Sequence, residues 1–490
     1  MSQSILGRDA RTANASHAQI AASFPVRACP VVPGLAAMDI VLLSQLLGLR
    51  VAWRSRDRWD AGQIADHQEQ ALRELRRVAY TRSEFYRRHH AGLLDAPLEQ
   101  LPVVTKADLM ANFDQAVTVP GLRLADVEQH LQTLSETGGD PGVPWKGRWW
   151  AAATAGTTGR RGTFIWDRSE WGTVLASYAR ANDWAGISAG LSRPLKVAVV
   201  SSRVPTHQSA VVGASLRSRL VPTLRLDVTA PMNETVAALN GFQPRSLVGY
   251  VTALRPLAAE QRAGRLAIAP EAVMSASEVL SAQAAAEMEA AWGSRPFDVY
   301  AATETAGIAS PCSYRNSHVY EDLVIVEPVD QAGTPVPSGT VSARLLVTVL
   351  FSRTLPLIRY EMSDRVGIGG RGCPCGRSFA LLKTVEGRVE DVLLLPGREG
   401  PVSVHPNVFH NVLDKTTVAG WQVIQEPSAL RVLLAGPAED VSAERVRAEL
   451  AAALTSSGVV ETQVDVHLVE SLERTALGKA PLVRGLPRRS

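Results

Sequence analysis

The sequence predicts an α/β fold: a large N-terminal domain with parallel sheet layers and a β-rich subdomain, followed by a small α+β C-terminal domain. Three patterns carry that expectation. Short apolar runs alternate with helical stretches between residues 195 and 301, the pattern of a largely parallel sheet with crossover helices. From 319 to 359 strands and turns succeed one another, and from 421 onward strands surround a single helical stretch.

Length and composition agree with this outline. At roughly 100–200 residues per domain, 490 residues suggest about two to four domains. Hydrophobic residues make up 46% and charged residues 20%, the balance of a globular chain and far from that of a disordered one. Lys plus Arg number 51 against 48 for Asp plus Glu, and a net charge of +3 is too small to draw the chain to nucleic acid or to an anionic membrane. The longest apolar candidate, 31–53, is interrupted by Pro33, Asp39, Ser44, Gln45 and Arg50, so no membrane span is expected. Arg8, Asp9 and Arg11 break any signal-peptide pattern, and a cytoplasmic location is the expectation.

The elements follow in order. Ile64, Ala71, Leu72, Leu75, Val78, Ala79 and Phe85 recur near the helical period and predict one amphipathic helix over 61–93. Its many arginines alternate with Asp66, Glu69, Glu74 and Glu84, which describes a solvated face. Thr105, three residues before Asp108, reads as the N-cap of a further helix. After a Gly/Pro loop over 138–144, strands are predicted at 195–201, 220–226, 246–251 and 297–301, with helices at 234–239, 253–263 and 282–292. Turns fall at 331–334 and 336–339. The C-terminal strands are placed at 421–425, 430–434 and 464–468, around a helix at 443–455.

Several clusters carry chemistry. Thr154, Gly156, Thr157, Thr158, Gly159 and Arg160 form a glycine and hydroxyl loop whose N–H and O–H donors suit a phosphate, although it lacks the P-loop spacing and by itself reads equally as a flexible turn. Cys312 and His318, with Cys373 and Cys375, supply three thiols and an imidazole, a ligand set for a closed structural zinc site; unligated small residues are the plainer alternative. Cys29 stands apart as a small apolar residue. Ser201, Ser202, His207 and Ser209 lack the G-x-S-x-G elbow, so a hydrolase is a weak reading.

Four more segments follow the threonine loop: Tyr300-Ala301-Ala302-Thr303-Glu304, then 359–364, 385–391 and 474–479. In this order the five segments resemble the adenylate-forming enzymes: acyl-CoA synthetases, peptide-synthetase adenylation domains and luciferases. Residues 101–109, 355–360 and the Cys-Pro-Cys-Gly-Arg stretch from Cys373 look like the phenylacetate-CoA ligase group within that superfamily. The resemblance runs from about residue 65 to 480.

The resemblance implies an extension over 1–60, an adenylation core over 61–389 and a mobile domain over 390–490 that turns about a hinge at Glu390, where the family usually has Asp. It implies ATP-dependent activation of a carboxylic acid, aromatic in this branch, to an acyl-adenylate, with coenzyme A as the lead acceptor. The Thr154–Arg160 loop would hold the phosphates of ATP, with Arg160 where Lys is usual. Thr303 and Glu304 would serve the reaction, Glu304 as the Mg²⁺ ligand. Glu278 and Tyr300 would border adenine, and Asp364 and Arg388 would complete the AMP site, Asp364 on the ribose hydroxyls. Lys479 would reach the carboxylate and the α-phosphate. His207 falls where the superfamily builds its substrate site. A longer loop over 395–406 departs from the CoA ligases and keeps an amine acceptor, giving an amide, as an alternative. A catalytically silent nucleotide-binding protein is a further one, and a homodimer is left open.

Overall fold

The computed structural model describes residues 40–154, 161–190, 192–215, 218–388, 391–404, 406–460, 462–474 and 480–486. Its N-terminal part is helical: α1 (Ile40–Arg56), α2 (Ala61–Arg82), α3 (Glu84–His89), α4 (Lys106–Ala111), α5 (Phe113–Ala116) and α6 (Leu124–Thr137) lead into the hairpin β1 (Trp150–Ala153) and β2 (Thr163–Trp166) and then the long helix α7 (Arg168–Trp184). The helix expected over 61–93 is two helices. Ser83 ends α2 in an extended conformation and its hydroxyl then accepts from the Tyr86 amide at 3.2 Å, capping α3. Thr105 caps α4 as expected, in a reciprocal box with Asp108.

Helix α1 falls inside the segment 1–60 expected as an extension, and it is built into the core through Leu42, Leu46 and Trp53. It lies on α7, where the Gln45 amide donates to the Ser169 carbonyl at 2.7 Å and Arg50 pairs with Asp183. A Cβ at Gly172 would collide with the Gln45 side chain, so glycine there permits the close approach.

The central sheet is assembled from β3 (Val197–Ser201), α8 (Gln208–Ser215), β4 (Thr223–Asp227), α9 (Met232–Phe242), β5 (Ser246–Gly249), α10 (Val251–Arg262), β6 (Ala272–Ala276), α11 (Ala282–Trp292), β7 (Phe297–Ala302), β8 (Ala306–Pro311) and β9 (Ser317–Val319). After them come β10 (Val324–Val329), β11 (Arg344–Val349), β12 (Tyr360–Met362), β13 (Asp364–Ile368) and β14 (Leu381–Arg388). Among the described residues the sheet has nine strands in the order β13-β14-β9-β8-β7-β6-β5-β3-β4. Strands β4, β3, β5, β6 and β7 run parallel, while β7, β8, β9, β14 and β13 pair antiparallel, so the direction changes at the β7–β8 turn. The strand expected from 220 starts at Thr223, because Pro222 has no N–H to give to the ladder. The β-rich part is the antiparallel sheet β10-β11-β12, turned by a bond from the Asp330 amide to the Thr334 carbonyl at 2.9 Å.

The C-terminal part holds the hairpin β15 (Leu393–Gly397) and β16 (Gly400–Val404), α12 (Pro406–Leu413), β17 (Val418–Gln425), β18 (Ala429–Pro437), α13 (Ala443–Ser456), β19 (Gln463–Val469) and β20 (Val483–Arg484). It has its own core around Leu393, Phe409, Trp421, Val432, Leu450 and Val464. Asp414 ties it to the rest: the carboxylate accepts from the Trp421 indole at 2.8 Å and lies 3.5 Å from Arg255 on α10.

One buried carboxylate joins α7 to the segment that leads into β12. Glu170 completes the N-terminal capping box with Asp167 and accepts from the backbone amides of Arg353 and Thr354 and from the Thr354 hydroxyl. Burial pushes its carboxyl up to about 7. The unfolded chain therefore loses this proton first, so stability contributed by the protonated form is full below about pH 4.5 and falls as pH rises to about 7, by about 3 kcal/mol over that window. Urea denaturation of the wild type and of Glu170→Gln, at pH 4.5 and pH 7.5, should show the wild type losing more by that order, and parallel profiles would refute the assignment.

Candidate active site

Ala302 pairs with Ala306, which leaves a three-residue turn between β7 and β8. Ala306 has φ 59°, the left-handed conformation that such a turn requires after its third residue, at a cost of about 1–2 kcal/mol for a residue with a Cβ. The surroundings hold it there: Ala306 is fully buried, and the next amide, Gly307, donates to the Ser177 hydroxyl of α7 at 3.2 Å. The turn sets Thr303 half-buried and Glu304 only 8% exposed at the end of the parallel strands, the edge at which α/β sheets bind ligands.

Other elements bring charge to the same place. Lys106, the first residue of α4, has its ammonium 3.6 Å from the Glu304 carboxylate. The buried Arg359 guanidinium positions α4: it donates to the carbonyls of Glu99 at 2.7 Å and Leu101 at 2.6 Å and pairs with Glu327 at 3.1 Å. Val104 and residues 359–361 also exchange backbone bonds, so the chain before α4 runs beside β12. β13 and β14 meet at Asp364 and Arg388, whose side chains lie 3.8 Å apart.

Two tyrosines point into this group. The Tyr300 hydroxyl lies beside Asp364 and that of Tyr360 beside Glu304, and burial, reinforced by these carboxylates, raises both phenols well above their ordinary value. Among the described residues neither hydroxyl has a hydrogen-bond partner of good geometry. Two buried phenols set against carboxylates in one cleft are a polar lining that a polar ligand can complete.

The structure thus brings together Thr303, Glu304, Tyr300, Asp364 and Arg388. Glu278 is differently employed: its oxygens accept from the Thr252 amide at 2.8 Å and the Thr252 hydroxyl at 2.9 Å, which caps α10. Its neighbour Val279 approaches Gly387, next to Arg388, where a Cβ would touch it at 3.5 Å. Thr154 closes the neck of its loop by exchanging backbone and side-chain bonds with Gly162 at 2.9 Å each. Gly156, Thr157, Thr158, Gly159, Arg160, Glu390, Lys479 and Cys29 lie outside the described residues. His207 pairs with the Ser209 hydroxyl at 2.7 Å.

Lys106 and Tyr360 lie against Glu304 but are not singled out by the sequence, and neither is the buried Asp298. Lys106 and Tyr360 stand inside segments that carry the family resemblance, where their contact with Glu304 has no sequence signature. Asp298 lies two residues before Tyr300 and so on the same face of β7; it bonds Ser275 at 2.8 Å, and burial pushes its carboxyl up to about 6. Alternation along the strand was the available signal.

The thiols and imidazole also meet. The ligand atoms of Cys312, His318, Cys373 and Cys375 all lie within 4.8 Å of one another, with Cys312 and Cys373 sulfurs 3.7 Å apart and Cys375 Sγ 3.3 Å from His318 Nε2. Zinc–sulfur bonds of about 2.3 Å in a tetrahedron require sulfurs about 3.8 Å apart, so the residues fit the metal. His318 Nδ1 faces the Phe379 carbonyl at 3.3 Å and burial lowers the imidazole pKa, which keeps the ring neutral with Nε2 turned to the thiols.

No family model matches the chain. It is 25% identical over 370 residues to the phenylacetate-coenzyme A ligase of Thermus thermophilus, covering 71% of this chain and 74% of that one. Its fold matches a crystal structure of 2-hydroxyisobutyryl-CoA ligase in the postadenylation state with R3-HIB-AMP, at a TM-score of 0.69, with 20% identity over 89% of this chain and 91% of that one. The same ligase with 2-HIB-AMP and CoA in its thioesterification state matches at a TM-score of 0.55, with 20% identity over 88% of this chain and 91% of that one.

A bond of poor geometry contributes little, so Tyr300→Phe and Tyr360→Phe should each change the stability of the ligand-free protein by no more than about 1 kcal/mol in urea denaturation. A loss of about 2 kcal/mol or more in either variant would mean that the hydroxyl is firmly bonded to its carboxylate.

Proposed function

We infer that this chain, which belongs to the adenylate-forming superfamily on its phenylacetate-CoA ligase-like branch, is an AMP-forming ligase that converts a carboxylic acid to its acyl-adenylate and then transfers the acyl group to coenzyme A. The observation that carries this reading is the convergence of two carboxylates, two cations and two buried phenols at the β7–β8 turn. A neutral or purely anionic ligand has no use for such a mixture. A nucleotide with its metal does: phosphates meet the cations, ribose hydroxyls meet a carboxylate, and a purine ring lies against an aromatic face.

In this reading Thr154 and its loop wrap the β- and γ-phosphates, Tyr300 flanks adenine, and Asp364 accepts from the ribose hydroxyls with Arg388 beside it. Glu304 would hold Mg²⁺, a hard cation suited to carboxylate oxygen, which supplies charge neutralisation to the triphosphate. Lys106 balances Glu304 and adds positive charge on the same side. Lys479 orients the substrate carboxylate against the α-phosphate, and the carboxylate oxygen attacks phosphorus in line as pyrophosphate leaves. Catalysis is then positioning and charge stabilisation. The similarity to two CoA ligases of organic acids supports the CoA acceptor, and the branch supports an aromatic acid. The longer loop over 395–406, which includes most of the β15–β16 hairpin, departs from the CoA-ligase pattern and keeps an amine acceptor as the second reading.

Exchange of labelled pyrophosphate into ATP, screened over aryl, arylacetic, amino-aryl and fatty acids, tests the first step. Exchange is expected with at least one acid and should fall by about 100-fold or more in Lys479→Ala and in Glu304→Gln. Absence of exchange with every acid would leave a nucleotide-binding protein without this chemistry.

We also propose that Cys312, His318, Cys373 and Cys375 hold a structural zinc ion. Protein purified without chelator should contain about one zinc per chain and lose it in Cys373→Ser with a lower melting temperature. Metal-free protein with unchanged melting would remove the site.

A further inference from the structure

The Thr303–Glu304 turn is short and strained at Ala306, so its orientation depends on what holds it. The first residue of α8, Gln208, does so. It is 3% exposed, and its amide nitrogen donates to the Thr303 carbonyl at 3.0 Å while its amide oxygen accepts from the Tyr178 hydroxyl at 2.8 Å. The amide cannot be reversed: a carbonyl has no proton to give, so only the NH₂ group can face Thr303. Tyr178 in turn is held on α7, next to Ser177, whose hydroxyl accepts from Gly307 at the other end of the turn. The residue two before Gln208 reaches the other half of the site, as the Ala153 amide donates to the Thr206 carbonyl at 2.8 Å just ahead of Thr154.

We propose that Gln208 is a positioning residue for adenylation, aiming Glu304 through its bond to the Thr303 carbonyl. The proposal rests on the adenylate-forming reading above. The Gln208 side chain is buried, with its amide bonded to the turn at one end and to Tyr178 at the other, so its influence runs through the peptide that precedes Glu304. A partner of a metal ligand that is lost costs about 10- to 100-fold in metal affinity or activity, because the ligand is no longer aimed.

Gln208→Glu is the discriminating variant: it keeps an acceptor for Tyr178 and replaces the donor at Thr303 with an oxygen. Tyr178→Phe removes only the outer bond and serves as the milder control. Two readouts are needed. Hydrogen exchange of peptides spanning 300–308 reports the turn itself, and should accelerate about 10-fold in Gln208→Glu, while peptides from α7 away from Tyr178 stay as in the wild type. Mg²⁺ titration of pyrophosphate exchange reports Glu304, and its half-saturating concentration should rise by about 10- to 100-fold, with a smaller rise in Tyr178→Phe. Unchanged exchange protection over 300–308 overturns the anchor whatever the enzyme does. A loosened turn with an unchanged Mg²⁺ requirement overturns the positioning role. A wild type that exchanges pyrophosphate with no acid overturns the adenylation reading, and the hydrogen-exchange result then separates that failure from failure of the anchor.

Discussion

The reversal of strand direction between β7 and β8 is the constraint on which the site depends. Parallel strands end together and present their C-terminal edge to solvent, which favours a cleft there. An antiparallel partner lets the chain turn back within three residues, so Glu304 stands at that edge without a long loop. The remaining antiparallel strands then carry Asp364 and Arg388 to the same side. Without the reversal, a crossover of a dozen or more residues would separate β7 from its next neighbour, and those three groups would have no reason to meet.

A tight turn is useful only if it is rigid, and most of the nearby structure serves that end. α7 is buried along much of its length and supplies Ser177 and Tyr178 to the turn, while Glu170 at its first turn ties it to the segment that leads into β12. Arg359 binds that same segment to the chain before α4, which brings Lys106 over the cleft. The strain at Ala306 is thus held by bonds from several elements, none of them near it in sequence.

The cysteine cluster lies at the far end of the same strands. His318 lies on β9 and pairs with Leu381 of β14, and Cys373 and Cys375 lie in the connection between β13 and β14. Asp364 and Arg388 occupy the opposite end of that hairpin, where they are direct register partners. A metal there would lock the register of the hairpin that presents the two charged groups, which gives a structural ion a consequence for the site.

Much of the architecture is determined by local sequence. Helical and strand periodicity locate the α/β alternation, the capping box at Thr105 and Asp108 marks the start of α4, and helix α11 falls where its period ends. Ser83 is a local signal too, but a weak one, since a serine inside an apolar period reads as tolerated until its extended backbone divides the helix. Motif order is likewise carried by the chain, and it suffices to single out Glu304, Asp364 and Arg388. Tertiary structure alone decides that Lys106, from a helix almost two hundred residues earlier, neutralises Glu304, that Glu278 caps α10, and that Gln208 grips the Thr303 carbonyl. The reason is physical: periodicity and capping act over a few residues along the chain, whereas ion pairs and amide bonds across the core depend on how sheet and helices pack, and no local pattern encodes which distant side chain will arrive.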